Sequence, residues 1–213
     1  MITAPAEAPG ALIAGTLWAA IETSGGLRRA ATEGHAHFQQ AFDPEWASDL
    51  PLPIDGDQPD GAPVALLDGR EEFERHTDAQ ALADAYDGRH RTRVYEDIGR
   101  DNPAAWYTYA ALQIGRLAAR DLAVVCSVFQ SRWGDESIGP HRDAWYGAIV
   151  QVRGVKGWLV GEGLFDGATR PIHAVTTKAG DVLLLPKGLP HTVSTPKEPG
   201  HSVHLAFAID RDD

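Results

Sequence analysis

Three side chains in the last third of the sequence, His141, Asp143 and His191, could together hold a metal ion, and Lys156 lies between them as a candidate anion-binding group. Two imidazoles and one carboxylate on a β scaffold are the ligand set of non-heme Fe(II) oxygenases, in which three coordination positions stay open for a co-substrate and O2. His141 and Asp143 are two residues apart, so on a strand both side chains point to one face. The third ligand must come from far along the chain. His191 follows the turn signal Pro186-Lys187-Gly188, which sets it at the start of a new strand. Zinc hydrolases more often use three His or two His and a Glu, so the set suits iron better.

Other candidate chemistry is weaker. His141-Arg142-Asp143 also matches the kinase catalytic triplet, but the sequence has neither Asp-Phe-Gly nor a Gly-x-Gly-x-x-Gly loop. His35-Ala36-His37 falls in a helical reading, where positions two apart diverge, and is set aside as a metal site. Cys126 is the single cysteine, which excludes a disulfide framework within the chain, and its apolar run 122–126 marks a buried, inert thiol. Trp145 and Tyr146, directly after the carboxylate, are candidates for substrate contact, and Arg142 points to the opposite face as a structural residue.

These side chains need a scaffold, and the chain changes character near residue 121. Before it, Leu12, Leu17, Trp18 and Ile21 predict an amphipathic helix ended by Gly25-Gly26, and a second helix is expected over about 27–42. Residues 44–63 hold five prolines and read as loop. Residues 69–86 read as helix and 91–96 as a short strand. Asn102 can cap, and Pro103 can open, a helix running to about Ala119. Beyond 121, strand-like runs follow at 122–130, 137–142, 146–153, 156–160, 171–176, 181–185, 190–194 and 201–209, separated by Gly, Pro and Asp. Eight short strands predict a mainly β fold, a double-stranded β-helix or jelly roll of the cupin kind. Residues 121–213 would form the barrel and residues 1–120 a mostly helical buttress of the same domain, packed on one sheet.

Bulk properties narrow the partners. Apolar content of 43% and charge of 23% are ordinary for a globular domain. A net charge of −11 argues against nucleic acid, whose binding runs on phosphate neutralisation. The apolar stretch 11–21 is too short for a membrane span and lacks the basic flank of a secretory signal, so a cytoplasmic protein without a membrane partner is expected.

The later half resembles the JmjC-type 2-oxoglutarate oxygenases, and among them the ribosomal-oxygenase-like cupins. Four segments carry the resemblance: Gly139-Pro140-His141-Arg142-Asp143; Gln151-Val152-Arg153-Gly154-Val155-Lys156; Ala179 to Gly188 leading into His191; and His201-Ser202-Val203-His204. It implies Fe(II) held by His141, Asp143 and His191 as the catalytic centre. It also implies 2-oxoglutarate as co-substrate with its distal carboxylate on Lys156, and His204 and Ser127 at the co-substrate pocket. Ser127 and Phe129 stand where relatives often carry Asn and Tyr. Counterparts of the relatives' C-terminal dimerisation and winged-helix regions are not expected here. A hydroxylase acting on a peptide or protein side chain follows from the resemblance, and one acting on a small biosynthetic intermediate follows from the compact build. Two alternatives stay open: a metal cupin enzyme that does not use 2-oxoglutarate, which leaves Lys156 without a task, and a non-catalytic cupin binding protein.

Overall fold

The computed structural model describes residues 7–28, 34–55, 63–67, 73–98, 105–118, 122–166 and 170–209. In chain order the elements are α1 (Glu7–Thr23), β1 (Ala36–Phe38), α2 (Pro44–Ser48), β2 (Val64–Leu67), β3 (Phe73–His76), α3 (Ala79–Gly88), β4 (Arg93–Tyr95) and α4 (Trp106–Leu117). They continue as β5 (Val124–Arg132), β6 (Tyr146–Val160), α5 (Gly163–Asp166), β7 (His173–Lys178), β8 (Val182–Leu185), β9 (His191–Ser194) and β10 (His201–Ile209).

The strands make a jelly roll whose two sheets share β6. The large antiparallel sheet runs β1-β8-β6-β10-β5-β4-β2-β3. The far half of β6 leaves it to pair with β7 on one side and β9 on the other. The sequence pattern predicts two strands here, 146–153 and 156–160, because Gly154 reads as punctuation between them. The chain instead bends and continues. Gly154 adopts φ 66°, and a Cβ there would lie 2.1 Å from the His201 carbonyl oxygen, so only glycine allows the crossing. Just before this bend the register against β10 shifts, since Val203 pairs with Arg153 but His204 with Gln151. The shift reverses the alternation: Ile149 and Gln151 point into the barrel before it, and Lys156 and Trp158 after it.

The opposite face of the large sheet carries the main core. Ile13, Leu17 and Ile21 of α1 and Trp106, Ala110 and Ile114 of α4 pack there against Val128, Val150, Leu205 and Phe207. Each such side chain removed from water contributes about 1.5–3 kcal/mol, which fixes the helical layer on the sheet. Arg153 ties α2 to the bend, donating to the carbonyls of Ser48 and Leu50, each at 2.9 Å.

Several expectations for the first half are corrected. The predicted helix over 27–42 is absent where the structure describes it: residues 36–38 form β1, paired to β8. The cause is tertiary, since Asp181 accepts hydrogen bonds from the Gln40 amide at 2.9 Å and the Lys178 amide at 3.0 Å and contacts His37 Nε2 at 3.0 Å. Residues 69–72 of the expected helix 69–86 lie outside the described residues; the rest is strand β3 followed by α3, which starts only where Asp78 caps the Ala81 amide. Within the expected loop 44–63, α2 forms on an Asp43 cap with Pro44 in its first turn. Helix α4 starts at Trp106, and Asn102 and Pro103 lie outside the described residues. The first half therefore supplies four strands as well as helices. Among the described residues no helix is long and apolar enough to cross a membrane.

Candidate metal centre and its cavity

His141, Asp143 and His191 come together although fifty residues separate the two imidazoles. Residues 137–142 do not form the predicted strand; a single antiparallel bridge does the positioning. The His141 amide donates to the His191 carbonyl, and the His191 amide to the His141 carbonyl, each at 3.0 Å. The Gly188 amide donates to the Asp143 carbonyl at 2.9 Å, and Arg142 clamps the same turn by donating to the Gly188 carbonyl at 2.7 Å. Arg142 also pairs with Glu162, so its role is structural, as its outward direction predicts.

One ligand atom from each of the three side chains lies within 4.8 Å of the others. His191 Nε2 is 3.5 Å and His141 Nε2 3.8 Å from the Asp143 carboxylate. Each imidazole is oriented from behind: His141 Nδ1 meets the Gly139 carbonyl at 2.8 Å and His191 Nδ1 the Leu189 carbonyl at 3.0 Å. A proton on Nδ1 satisfies those carbonyls and leaves both Nε2 lone pairs converging with the carboxylate. That is the tautomer and orientation a bound divalent metal requires. Burial, and then the neighbouring His141, push the His191 pKa below the ordinary imidazole value, which keeps the ring neutral. The donor set fits a metal held on one side, with the cavity side left for further ligands.

The triad opens on a cavity of about 560 Å³ that also receives Lys156, His204, Ser127, Phe129, Trp158 and Trp145. Lys156 is only 1% exposed, yet its ammonium has no carboxylate within ion-pairing distance among the described residues. It donates to Ser131 Oγ at 2.7 Å and Thr195 Oγ1 at 3.1 Å. Burial brings its pKa down to about 8. An ammonium buried with two neutral acceptors retains a strong attraction for an anion. His204 is buried, stacked flat on Phe129 with centroids 5.0 Å apart, and its Nδ1 has no hydrogen-bond partner among the described residues. Burial, with Lys156 nearby, holds its pKa well below the usual value, so it is a neutral polar group in the wall. The Ser127 hydroxyl faces the same cavity and accepts the Asp97 amide at 3.2 Å.

The bend at Gly154 is held by a buried polar chain. Trp158 Nε1 donates to Thr177 Oγ1 at 3.0 Å, Thr177 donates to Gln151 Oε1 at 3.0 Å, and Gln151 Nε2 donates to Ser202 Oγ at 2.9 Å. This gives Gln151, Gly154 and Ser202 of the recognised segments their task, which is to aim Lys156 and Trp158 inward. Gly180-Asp181 anchors β1 rather than a ligand. Ser131 and Thr195 escaped the sequence reading, because lone hydroxyls 64 residues apart carry no spacing signal. Tyr146 is corrected: it packs in the core beneath the helices, and Trp145 alone of that pair reaches the cavity. Cys126 is buried, and burial pushes its thiol pKa up, as an inert core residue requires.

Comparison with known proteins agrees with this architecture. YcfD, a ribosomal oxygenase from Escherichia coli, superposes with a TM-score of 0.61 at 18% identity in its complex with cobalt and 2-oxoglutarate. The match covers 88% of this chain and 51% of that one, so the chain spans about half of YcfD. A second YcfD structure, with cobalt and succinic acid, gives the same TM-score and coverage. Ribosomal oxygenase 2 of Bos taurus is 29% identical over 93 residues, covering 38% of this chain and 20% of that protein. The JmjC domain family model matches residues 105–212, just over half of the 213-residue chain, from the start of α4 through the triad, Lys156 and β10. With a jelly roll whose bend, bridge and buried lysine all fall inside that match, the chain belongs to the JmjC domain family.

Proposed function

We propose that the protein is an Fe(II)- and 2-oxoglutarate-dependent oxygenase, most simply a hydroxylase, acting on a peptide or protein side chain or on a small biosynthetic intermediate. The observation that carries this reading is one cavity joining three converging metal donors to a buried ammonium that, among the described residues, has no ion-pair partner and feels Asp135 only at a distance. The cobalt, 2-oxoglutarate and succinic acid complexes of YcfD support it, and the ribosomal oxygenases support a protein substrate.

In this reading His141, Asp143 and His191 hold Fe(II), which when bound supplies O2 activation coupled to oxidative decarboxylation of 2-oxoglutarate. Lys156 binds the distal carboxylate of the co-substrate, with Ser131 and Thr195 fixing the ammonium. His204 offers an uncommitted nitrogen in the wall and Ser127 a hydroxyl, both toward the co-substrate. Phe129 and Trp158 exclude water around His204. Residues 121–213 supply the metal donors and Lys156, while the first half is more than a helical buttress: its strands extend the same sheet, and Leu67, Phe73 and Val94 line the cavity. A metal cupin without 2-oxoglutarate would leave the buried ammonium unexplained.

The test is succinate formation by stoichiometric protein supplied with Fe(II), 2-oxoglutarate and O2 over a long incubation. Succinate above the His141→Ala background is expected. Protein that binds both metal and 2-oxoglutarate yet forms no succinate would contradict the proposal.

A further inference from the structure

We infer that the substrate arm of the cavity is shaped for an uncharged, apolar group, branched aliphatic or aromatic, with Gly147 and Ala208 setting its size. Which molecule carries the group to be oxidised rests on the oxygenase reading; the shape and chemistry of the arm do not.

Three cross-strand rows of β5, β10 and β6 line the large-sheet wall. They are Phe129, His204 and Gln151; then Ser127, Ala206 and Ile149; then Val125, Ala208 and Gly147. Side-chain bulk falls along this series, so the first row fills the barrel and the last leaves it open. Packing does not demand the smallest residue. A Cβ on Gly147 would meet only Leu185, at 3.6 and 3.7 Å, which is ordinary contact. Its backbone also lies outside the left-handed region. Beyond β5 the same sheet continues into β4, β2 and β3, where Val94 pairs with Phe129. There Leu67, Phe73 and Val94, with Ile138, extend the apolar lining beside Thr92 and Ser137.

Charge on this arm is limited. Glu96 is matched by Arg75, which donates to its two carboxylate oxygens at 2.6 and 2.9 Å. Asp97 stands level with Ser127 and is the feature that would favour a cation. A cationic side chain threading past Val94, Ile138 and Val125 would lose its hydration along most of its length for that one carboxylate. An apolar group instead gains about 25 cal/mol for each Å² it removes from water. At about 560 Å³ the whole cavity is of the size that encloses a small molecule or one side chain.

The experiment is saturation-transfer NMR on the full chain, first without metal and then with Mn(II). The probes are N-acetyl-leucinamide and N-acetyl-phenylalaninamide against N-acetyl-argininamide and N-acetyl-histidinamide, with 3-methylbutanol and benzyl alcohol as apolar groups lacking amides. The apolar probes should bind at least about tenfold more tightly than the cationic ones, and Gly147→Val and Ala208→Leu should each weaken them by a similar factor. Mn(II) affinity, followed by electron paramagnetic resonance, should not change in either variant. Gly147→Ala is the milder replacement if thermal melting shows that valine disturbs the fold. Binding confined to the amides assigns the apolar group to a peptide, and equal binding of the alcohols assigns it to a small molecule. Tighter binding of the cationic probes, or full binding by a folded Gly147→Val protein, would overturn the inference. Failure of Mn(II) to bind would instead strike the metal reading, since the metal-free spectra test the arm separately.

Discussion

Replacing Lys156 with methionine should stabilise the ligand-free protein while destroying co-substrate binding. The native ammonium is 1% exposed, its hydrogen-bond partners among the described residues are two hydroxyls, and its pKa falls from 10.5 to about 8. Between pH 8 and 10.5 the unfolded chain therefore holds more protons than the native one, so stability rises with pH across that window. Below about pH 8 the burial penalty is present in full, on the order of 3 kcal/mol. Methionine keeps the apolar stem, and Ser131 and Thr195 retain each other at 2.7 Å. The net gain expected at pH 7 is about 1–3 kcal/mol, because some packing around the longer lysine is lost. Urea denaturation of the metal-free proteins at pH 7 and pH 10 measures it. The variant should be the more stable at pH 7, and its advantage should shrink toward pH 10. Adding Mn(II) and 2-oxoglutarate should reverse the order, since only the wild type gains from the ligand. A Lys156→Met protein that is less stable at pH 7, or a difference independent of pH, would refute the account of this lysine.

Other consequences are as direct. Gly154→Ala puts a Cβ 2.1 Å from the His201 carbonyl at φ 66°, so it should lose about 2 kcal/mol or more in urea denaturation. Gln151→Leu leaves Ser202 and Thr177 without their buried partner and should cost about 1–3 kcal/mol on the same measurement. Because the bend aims Lys156, calorimetry should also show weaker 2-oxoglutarate binding in that variant. Cys126 should resist thiol reagents in the native protein and react only at the rate of unfolding.

The candidate site was more legible than the elements around it. His141, Asp143 and His191 could be picked out from their spacing and a turn signal, Lys156 from the family resemblance, and β10 falls on the predicted residues. What failed was local pattern where tertiary contacts decide. Residues 36–38 lie in a stretch of helical periodicity, but Asp181, far along the chain, pulls them into a strand. Strand β2 is buried on both faces, so Val64–Leu67 shows no alternation, and its four residues are too few to read against a proline-rich loop. Gly154 looked like punctuation between two strands when it is the bend within one, because a positive φ serves a turn and a strand crossing equally. Ser131 and Thr195 meet Lys156 only through the fold.

The most direct test of the central claim is an anaerobic titration of the protein with Fe(II) and then 2-oxoglutarate, followed by visible absorption. A weak charge-transfer band should appear in the wild type, vanish in His141→Ala and require far more 2-oxoglutarate in Lys156→Ala. Iron bound at the triad with no band at saturating 2-oxoglutarate would contradict the claim that these four side chains form one co-substrate site.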